Sequence, residues 1–191
     1  MANNIIIDTK ELKKVALKLS GVPKQIPGAT AAALNRTLTY TITQTTREVT
    51  KKYSIKSRDI KKTIKKHKAS KSKLNACMES RGSSIALHKF PHTPRKYSKR
   101  SKAVKVQIIK SKGKKTINTS PKAFVQTMNN TNGIFKRKSK KRTPVVILRT
   151  ISVPQMISNE ETMTKIEKLA NNKLKERISH EIDWRLSKVG K

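Results

Sequence analysis

Apolar residues recur at helical spacing near both ends of this chain and at every second position in the stretch between them. Ile5, Ile6 and Ile7 read as a short strand. Asp8 follows as the N-cap of a helix whose apolar side holds Leu12, Val15, Ala16 and Leu19 and which Gly21 stops. Val22 to Gly28, with Pro23 and Pro27, is a linker. Ala31, Leu34, Leu38, Ile42, Thr45 and Val49 then form one helical stripe. A rival pattern overlaps it, because Thr37 to Thr43 alternates strictly and carries the β-branched residues a strand favours. The alanine run Ala31-Ala32-Ala33 and the unbroken length favour a helix, predicted from Ala29 to about Lys52. A short basic helix follows, capped by Ser57, carrying Ile60 and Ile64 among Lys61, Lys62, Lys65 and Lys66.

From Leu74 the period changes to two. Leu74, Ala76 and Met78 line one predicted strand, and Ile85, Leu87 and Phe90 another, with Gly82 at the turn between them. Ala103 to Asn118 reads as a hairpin with Gly113 in its turn. Ala123 to Met128 and Gly133 to Lys136 flank the strongest turn signal in the chain, Asn129 to Gly133. Pro144 opens a last strand, Val145 to Leu148. The predicted middle is one small antiparallel sheet with basic turns and edges.

Pro154 ends the sheet region, and Ser158 with Glu161 has the form of a capping box for a helix running to about Ser187. Its apolar residues Ile166, Ala170, Leu174, Ile178, Ile182 and Leu186 are spaced by four, so each step moves the stripe about 40° round the helix. Met163, Ile166, Leu169 and Ala170 share one face, while Ile178, Ile182, Leu186 and Val189 lie rotated well round. Either the helix breaks near Asn171-Asn172, or one half packs on its own sheet and the other on a neighbouring subunit. The second is expected, with Ile178, Ile182 and Leu186 as the oligomer interface. The predicted fold class is α+β: N-terminal helices, a small antiparallel sheet, and a long C-terminal amphipathic helix. It is read as a single domain, 1–191, in four parts: 1–28, 29–68, 74–150 and 158–187.

Charge sharpens this picture. No acidic residue lies between Glu79 and Glu160, and Ser80 to Asn159 carries twenty Lys or Arg of a chain whose formal net charge is +35. Such a surface repels itself unless it faces phosphate, an acidic protein or an anionic membrane. Hydrophobic residues make up 34% and aromatics 4%, which allows only a thin core, so neighbouring subunits are expected to add stability. No apolar run approaches the ~20 residues needed to span a bilayer. The N-terminus lacks a signal-peptide pattern, so a cytosol-like compartment is expected. Cys77 is the single cysteine and reads as a small core residue.

Catalytic chemistry has no obvious carrier, and no enzyme is expected. His67, His88, His92 and His180 do not join Cys77 or a carboxylate at metal-ligand spacing, and Pro91 separates His88 from His92. His180-Glu181 begins like a zinc-protease helix, but Trp184 occupies the place of the second histidine. There is no P-loop, no glycine-rich nucleotide fingerprint and no nucleophile elbow, so neither a cofactor nor a metal is expected.

Two basic clusters stand out: Arg95, Lys96, Lys99, Arg100 and Lys102, and Lys136, Arg137, Lys138, Lys140, Lys141 and Arg142. The second places six charges in seven residues after the turn at Asn132-Gly133, and is expected to project from a hairpin. These eleven residues are the candidate nucleic-acid contacts, with counterion release as the driving force and no reading of sequence. Solubilising loops are the plainer alternative. The block's aromatics, Phe90, Tyr97, Phe124 and Phe135, read as too scattered for a base-stacking platform.

Several segments, taken in order, resemble the minor tail protein Z family of tailed bacteriophages. They are Pro27-Gly28-Ala29 with Ala32 to Arg36, then Arg47, then Ala123-Phe124-Val125. The Asn-Gly turn leading to Phe135 and Arg137, Pro144-Val145, and Ile151 to Met156 before the last helix complete the likeness. It covers most of Val22 to Ser187. The resemblance implies a structural minor tail component acting in tail completion at the head-proximal end, with no catalytic residues to carry over. Implied partners are the tail terminator, tail tube and head connector, with a hexamer or trimer as first expectation and genomic double-stranded DNA as a further partner. No membrane is involved. The implied location is the virion tail, and the host cytoplasm during assembly. The competing reading is a nucleoid-type or ribosome-associated protein binding nucleic acid without sequence specificity. The two-faced last helix suits a ring of subunits better.

Overall fold

The computed structural model describes residues 3–4, 21, 23–97, 103–128 and 130–189. The predicted strand at Ile5–Ile7 and the helix capped by Asp8 lie outside the described residues. The fold is α+β, built round two long helices.

Helix α1, Ile26–Lys52, starts three residues before its predicted position because Pro27 fits the first turn of a helix. It ends where Tyr53 turns to extended backbone. The alternating threonine stretch lies inside it. Thr39, Thr41, Thr43, Thr45, Thr46 and Thr50 each donate to the carbonyl four residues back, at 2.9–3.1 Å. Those local bonds let a β-branched, hydroxyl-rich run be buried as helix without orphaned oxygens. Thr37 is the exception, its hydroxyl buried and unpartnered.

The predicted basic helix is shorter than expected. Helix α2 covers only Ser57–Lys61, and Ile64–His67 is strand β2. Thr63 closes the turn by donating to the Ile60 carbonyl at 2.8 Å. Strand β2 pairs antiparallel with β3 (Cys77–Ser80), whose other neighbour is β1 (Asn3–Asn4). Alternation in β3 buries Ala76, Met78 and Ser80, whereas Leu74 is exposed and Cys77 is half-buried rather than in the core. Between β2 and β3, Asn35 of α1 clamps the connection, donating to the Ala69 carbonyl at 2.9 Å and accepting from its N–H at 2.8 Å.

Among the described residues, the predicted single sheet is four small antiparallel ones. No hairpin forms around Gly82, since β3 and β4 (Ile85–Ala86) belong to different sheets and β4 pairs with β11 (Arg149–Thr150). A third sheet orders β5 (His92–Thr93), β6 (Lys105–Val106) and β7 (Lys115–Thr116), with Gly113 at φ 62° in the predicted β6–β7 turn. A fourth orders β10 (Val145–Ile147), β9 (Thr131–Arg137) and β8 (Phe124–Met128). Its β8–β9 turn is tighter than predicted. Met128 pairs with Thr131, Asn130 takes φ 57°, and Asn132 and Gly133 already belong to the strand. The bare backbone of Gly133 lies under the Phe135 ring, where a Cβ would sit 2.6 Å from a ring carbon.

Helix α3, Val153–Ile157, takes the capping box predicted one element later: Ser152 Oγ accepts from Gln155 N, and Gln155 Oε1 accepts from Ser152 N at 2.8 Å. Ser158 instead closes α3, donating to the Pro154 carbonyl at 2.9 Å. Helix α4, Glu160–Val189, follows without a break at Asn171-Asn172. Its stripe of Ile166, Ala170, Leu174, Ile178 and Ile182 is buried along its whole length.

That corrects the expected oligomer interface. Ile178 and Ile182 share one core with Leu34 and Leu38 of α1 and with Ala76 and Met78, so they are consumed inside the chain. The reason lies in α1, whose buried residues also run in fours, through Thr37, Thr41, Thr45 and Val49. A buried stripe that rotates round α4 thus meets one that rotates round α1. Only Leu186 of the three remains exposed, at 43%, near Trp184 at 46%. A second core lies under the sheets and takes Val49 from α1 and Tyr53 just after it, Phe90, Val125 and Ile134 from the middle, and Met156 and Ile157 from α3.

The two long helices run antiparallel and are clasped at both ends. At one, Arg185 donates to Gln25 at 2.7 Å and Glu181 faces Arg36 at 3.3 Å. At the other, Lys52 donates to Glu161 at 2.9 Å and to Asn159 at 2.6 Å. Hydrogen bonds from Lys165 and then Lys52 hold the Glu161 carboxyl down to about 2, from an ordinary 4.5. A carboxyl depressed in the folded state stabilises above its unfolded value and loses that contribution as pH falls towards its folded one. The wild type is therefore expected to exceed Glu161→Gln in Tm at pH 7, with the gap closing between pH 4.5 and 2. Thermal melts across that range would show it, and a pH-independent gap would refute it.

Candidate nucleic-acid interface

The second basic cluster occupies the connection of the β9–β10 hairpin, one strand beyond the β8–β9 turn. Lys136 and Arg137 are the last residues of β9, and they pair with Val146 and Val145 of β10. The segment from Lys138 to Arg142 spans the tip, where Lys138 N donates to the Pro144 carbonyl at 3.0 Å and Lys141 N to Ser139 Oγ at 3.2 Å. The side chains of Lys138, Lys140, Lys141 and Arg142 are exposed, and Lys136 is half-buried. Among the described residues, no carboxylate pairs with any of Lys136 to Arg142. A tight, uncompensated loop of this kind holds its charges outward.

Of the first cluster, Arg95 and Lys96 are exposed, while Lys99, Arg100 and Lys102 lie outside the described residues. Arg95 lines a depression of about 960 Å³ with Lys56, Lys89, Lys110, Asp59, His88 and His92. His92 Nδ1 sits 2.8 Å from the Phe90 carbonyl, and burial together with the charge of Lys89 lowers the His88 pKa from its ordinary value. Among the described residues no group of three His, Cys, Asp or Glu is placed to hold a metal.

Tyr97, two residues on, lines a different depression of about 710 Å³ that also takes Lys122, Phe124, Arg137 and Arg142. Tyr97 of the first run therefore shares one depression with Arg137 and Arg142 of the second. Two of the aromatics that read as scattered are gathered there: Tyr97 is 58% exposed, and the Phe124 ring lies 6.3 Å from Phe135 with the Arg137 guanidinium 6.0 Å from its centre. Chemically the depression offers guanidinium and ammonium groups beside exposed ring surface, a combination that suits phosphates with adjoining bases. Lys122 and, at the other depression, Lys56, Lys89 and Lys110 lie outside the two dense runs. Only the fold shows that they extend the basic face.

Among the described residues, no helix is long and apolar enough to cross a membrane. No curated protein and no solved structure matches the chain. The likeness read from short segments is matched over nearly the whole length, because the family model of prophage minor tail protein Z covers residues 9–190. This chain belongs to that family, a structural component of phage tails that meets other tail proteins in the virion.

Proposed function

We propose that the protein acts in tail completion at the head-proximal end of the tail, where its basic sheet face lies against the phosphates of genomic duplex DNA. The observation that carries this reading is the uncompensated loop from Lys138 to Arg142, adjoining the depression shared by Tyr97, Lys122 and Arg137. The chain works as one domain, a reading supported by α1 entering both cores. Its tail neighbours are the terminator, the tube and the head connector. With Ile178 and Ile182 consumed within the chain, the surface left for a neighbouring copy in a hexamer or trimer is the end of α4 around Trp184 and Leu186.

The test is duplex binding across a salt series. Changing Lys138, Lys140, Lys141 and Arg142 to Ser is expected to weaken binding about equally for every DNA sequence. It should also reduce the slope of log K against log salt by about 0.9 for each phosphate no longer neutralised. Phage carrying the change are expected to build tails but deliver their genome poorly. A slope identical to wild type would overturn the DNA reading.

A further inference from the structure

A second concentration of cations lies on the helix pair, beside the end of β2. Arg36 and Arg47 of α1, Lys173 and Arg177 of α4, and Lys68 from the connection clamped by Asn35 line a groove of about 670 Å³. Tyr40 and Gln44 supply further donors, and none of the residues lining it is acidic. Two of the cations are partly engaged elsewhere: Arg36 faces Glu181, and Lys173 bonds Glu176 while lying 5.3 Å from the Tyr40 ring centre. Arg47 and Lys68 are exposed, and among the described residues neither pairs with a carboxylate. Arg177 carries the sharper signal, since its Nε is buried and has no hydrogen-bond partner. A buried guanidinium donor left open calls for an acceptor, and beside four other cations that acceptor is an oxyanion.

Charge and length choose the kind. Arg36 and Arg47 are eleven residues apart on one helix, about 16 Å at a rise of ~1.5 Å per residue, and no acidic side chain lines the groove between them. A phosphodiester strand carries a fixed negative charge at every nucleotide, so it meets cations along the whole of that length without needing a matching run of acidic side chains. We propose that this groove is a second phosphate site, taking one phosphodiester strand of a nucleic acid along α1, through residues separate from those of the sheet face. It rests on the reading that the protein meets DNA, and names another surface for it.

The experiment uses the full chain and a duplex of about 20 base pairs over a salt series, comparing wild type with the triple variant Arg47→Gln, Lys68→Gln, Arg177→Gln. The double variant Arg47→Gln, Lys68→Gln changes only exposed side chains, and decides the matter if the triple variant does not fold. The salt slope is expected to fall by about 0.9 for each cation removed from a phosphate, two for the double variant, and to do so additively with the β9–β10 loop change. A normal slope here beside a flattened one in the loop variant overturns this site and leaves the sheet face standing. The converse result removes the sheet face and keeps the groove, and normal slopes in both remove both. Loss of poly-glutamate binding with an unaltered DNA slope also overturns the proposal, in favour of an acidic protein partner.

Discussion

Ile182→Asp is expected to unfold the pairing of the two long helices rather than to release one subunit from another. The side chain is 2% exposed in the core that joins α4 to α1. Its removal forfeits roughly 2–3 kcal/mol of apolar burial. The carboxylate put in its place adds a desolvation cost of several kcal/mol, or must take up a proton. The sum, on the order of 5 kcal/mol or more, rivals the ~5–15 kcal/mol stability of a typical domain. Urea unfolding followed by helical circular dichroism would show the midpoint falling towards zero denaturant. Leu186→Asp, four residues on and exposed, is expected to stay within about 0.5 kcal/mol in the same assay. A folded Ile182→Asp protein that had merely stopped self-associating would contradict the intrachain packing.

Glu181→Ala is expected to cost about 3 kcal/mol, for an electrostatic reason. Glu181 is 4% exposed, with Arg36 at 3.3 Å and Arg185 at 3.9 Å. Its Oε1 takes no aligned hydrogen bond, so charge rather than geometry holds it. Arg36 is half in water and can be re-solvated, but Arg185 is only 15% exposed and would keep Gln25 as its bonded partner. Removing one member of a buried pair leaves the other charge uncompensated, and that accounts for most of the destabilisation. Glu181→Gln, which keeps the shape, is expected to cost less. A change below about 0.5 kcal/mol for Glu181→Ala in urea unfolding would show that solvent already screens Arg185.

What was legible in the sequence followed from local periodicity and turn chemistry. Ala31 to Val49 announced a helix despite the alternating threonines, and the β6–β7 hairpin and the strands on either side of Asn130 fell close to their expected places. Failures came where tertiary pairing decides. Ile64 looked helical by spacing from Ile60, yet Ile64 to His67 pairs with β3. Ser158-Glu161 had the right letters for a capping box, but Ser152-Gln155 has it in space. The rotating stripe on α4 implied a missing partner because the matching face of α1 continues past Leu34 and Leu38 through Thr37, Thr41 and Thr45, which hydropathy does not flag. Of the site, the dense runs at 95–102 and 136–142 were visible as runs. The groove was not, since residues 36, 47, 68, 173 and 177 come together only through the helix pair.

The clasps at the ends of that pair settle which turn of one helix lies against which turn of the other. In the middle, α1 offers Thr37, Thr41 and Thr45 in succession, and α4 offers Ile166, Ala170, Leu174, Ile178 and Ile182. Sliding one helix by four residues, about 6 Å, would again set apolar residues against threonines, with Ala170 as the one change of size in the stripe. The buried hydroxyls of Thr41, Thr45 and Thr46 bond within their own helix, so such a slide would break none of those bonds. The ends do not repeat: Gln25 with Arg185, and Lys52 with Asn159 and Glu161, meet in one alignment alone. The pair thus behaves as a vernier, with a smooth scale in its centre and a polar stop at either end.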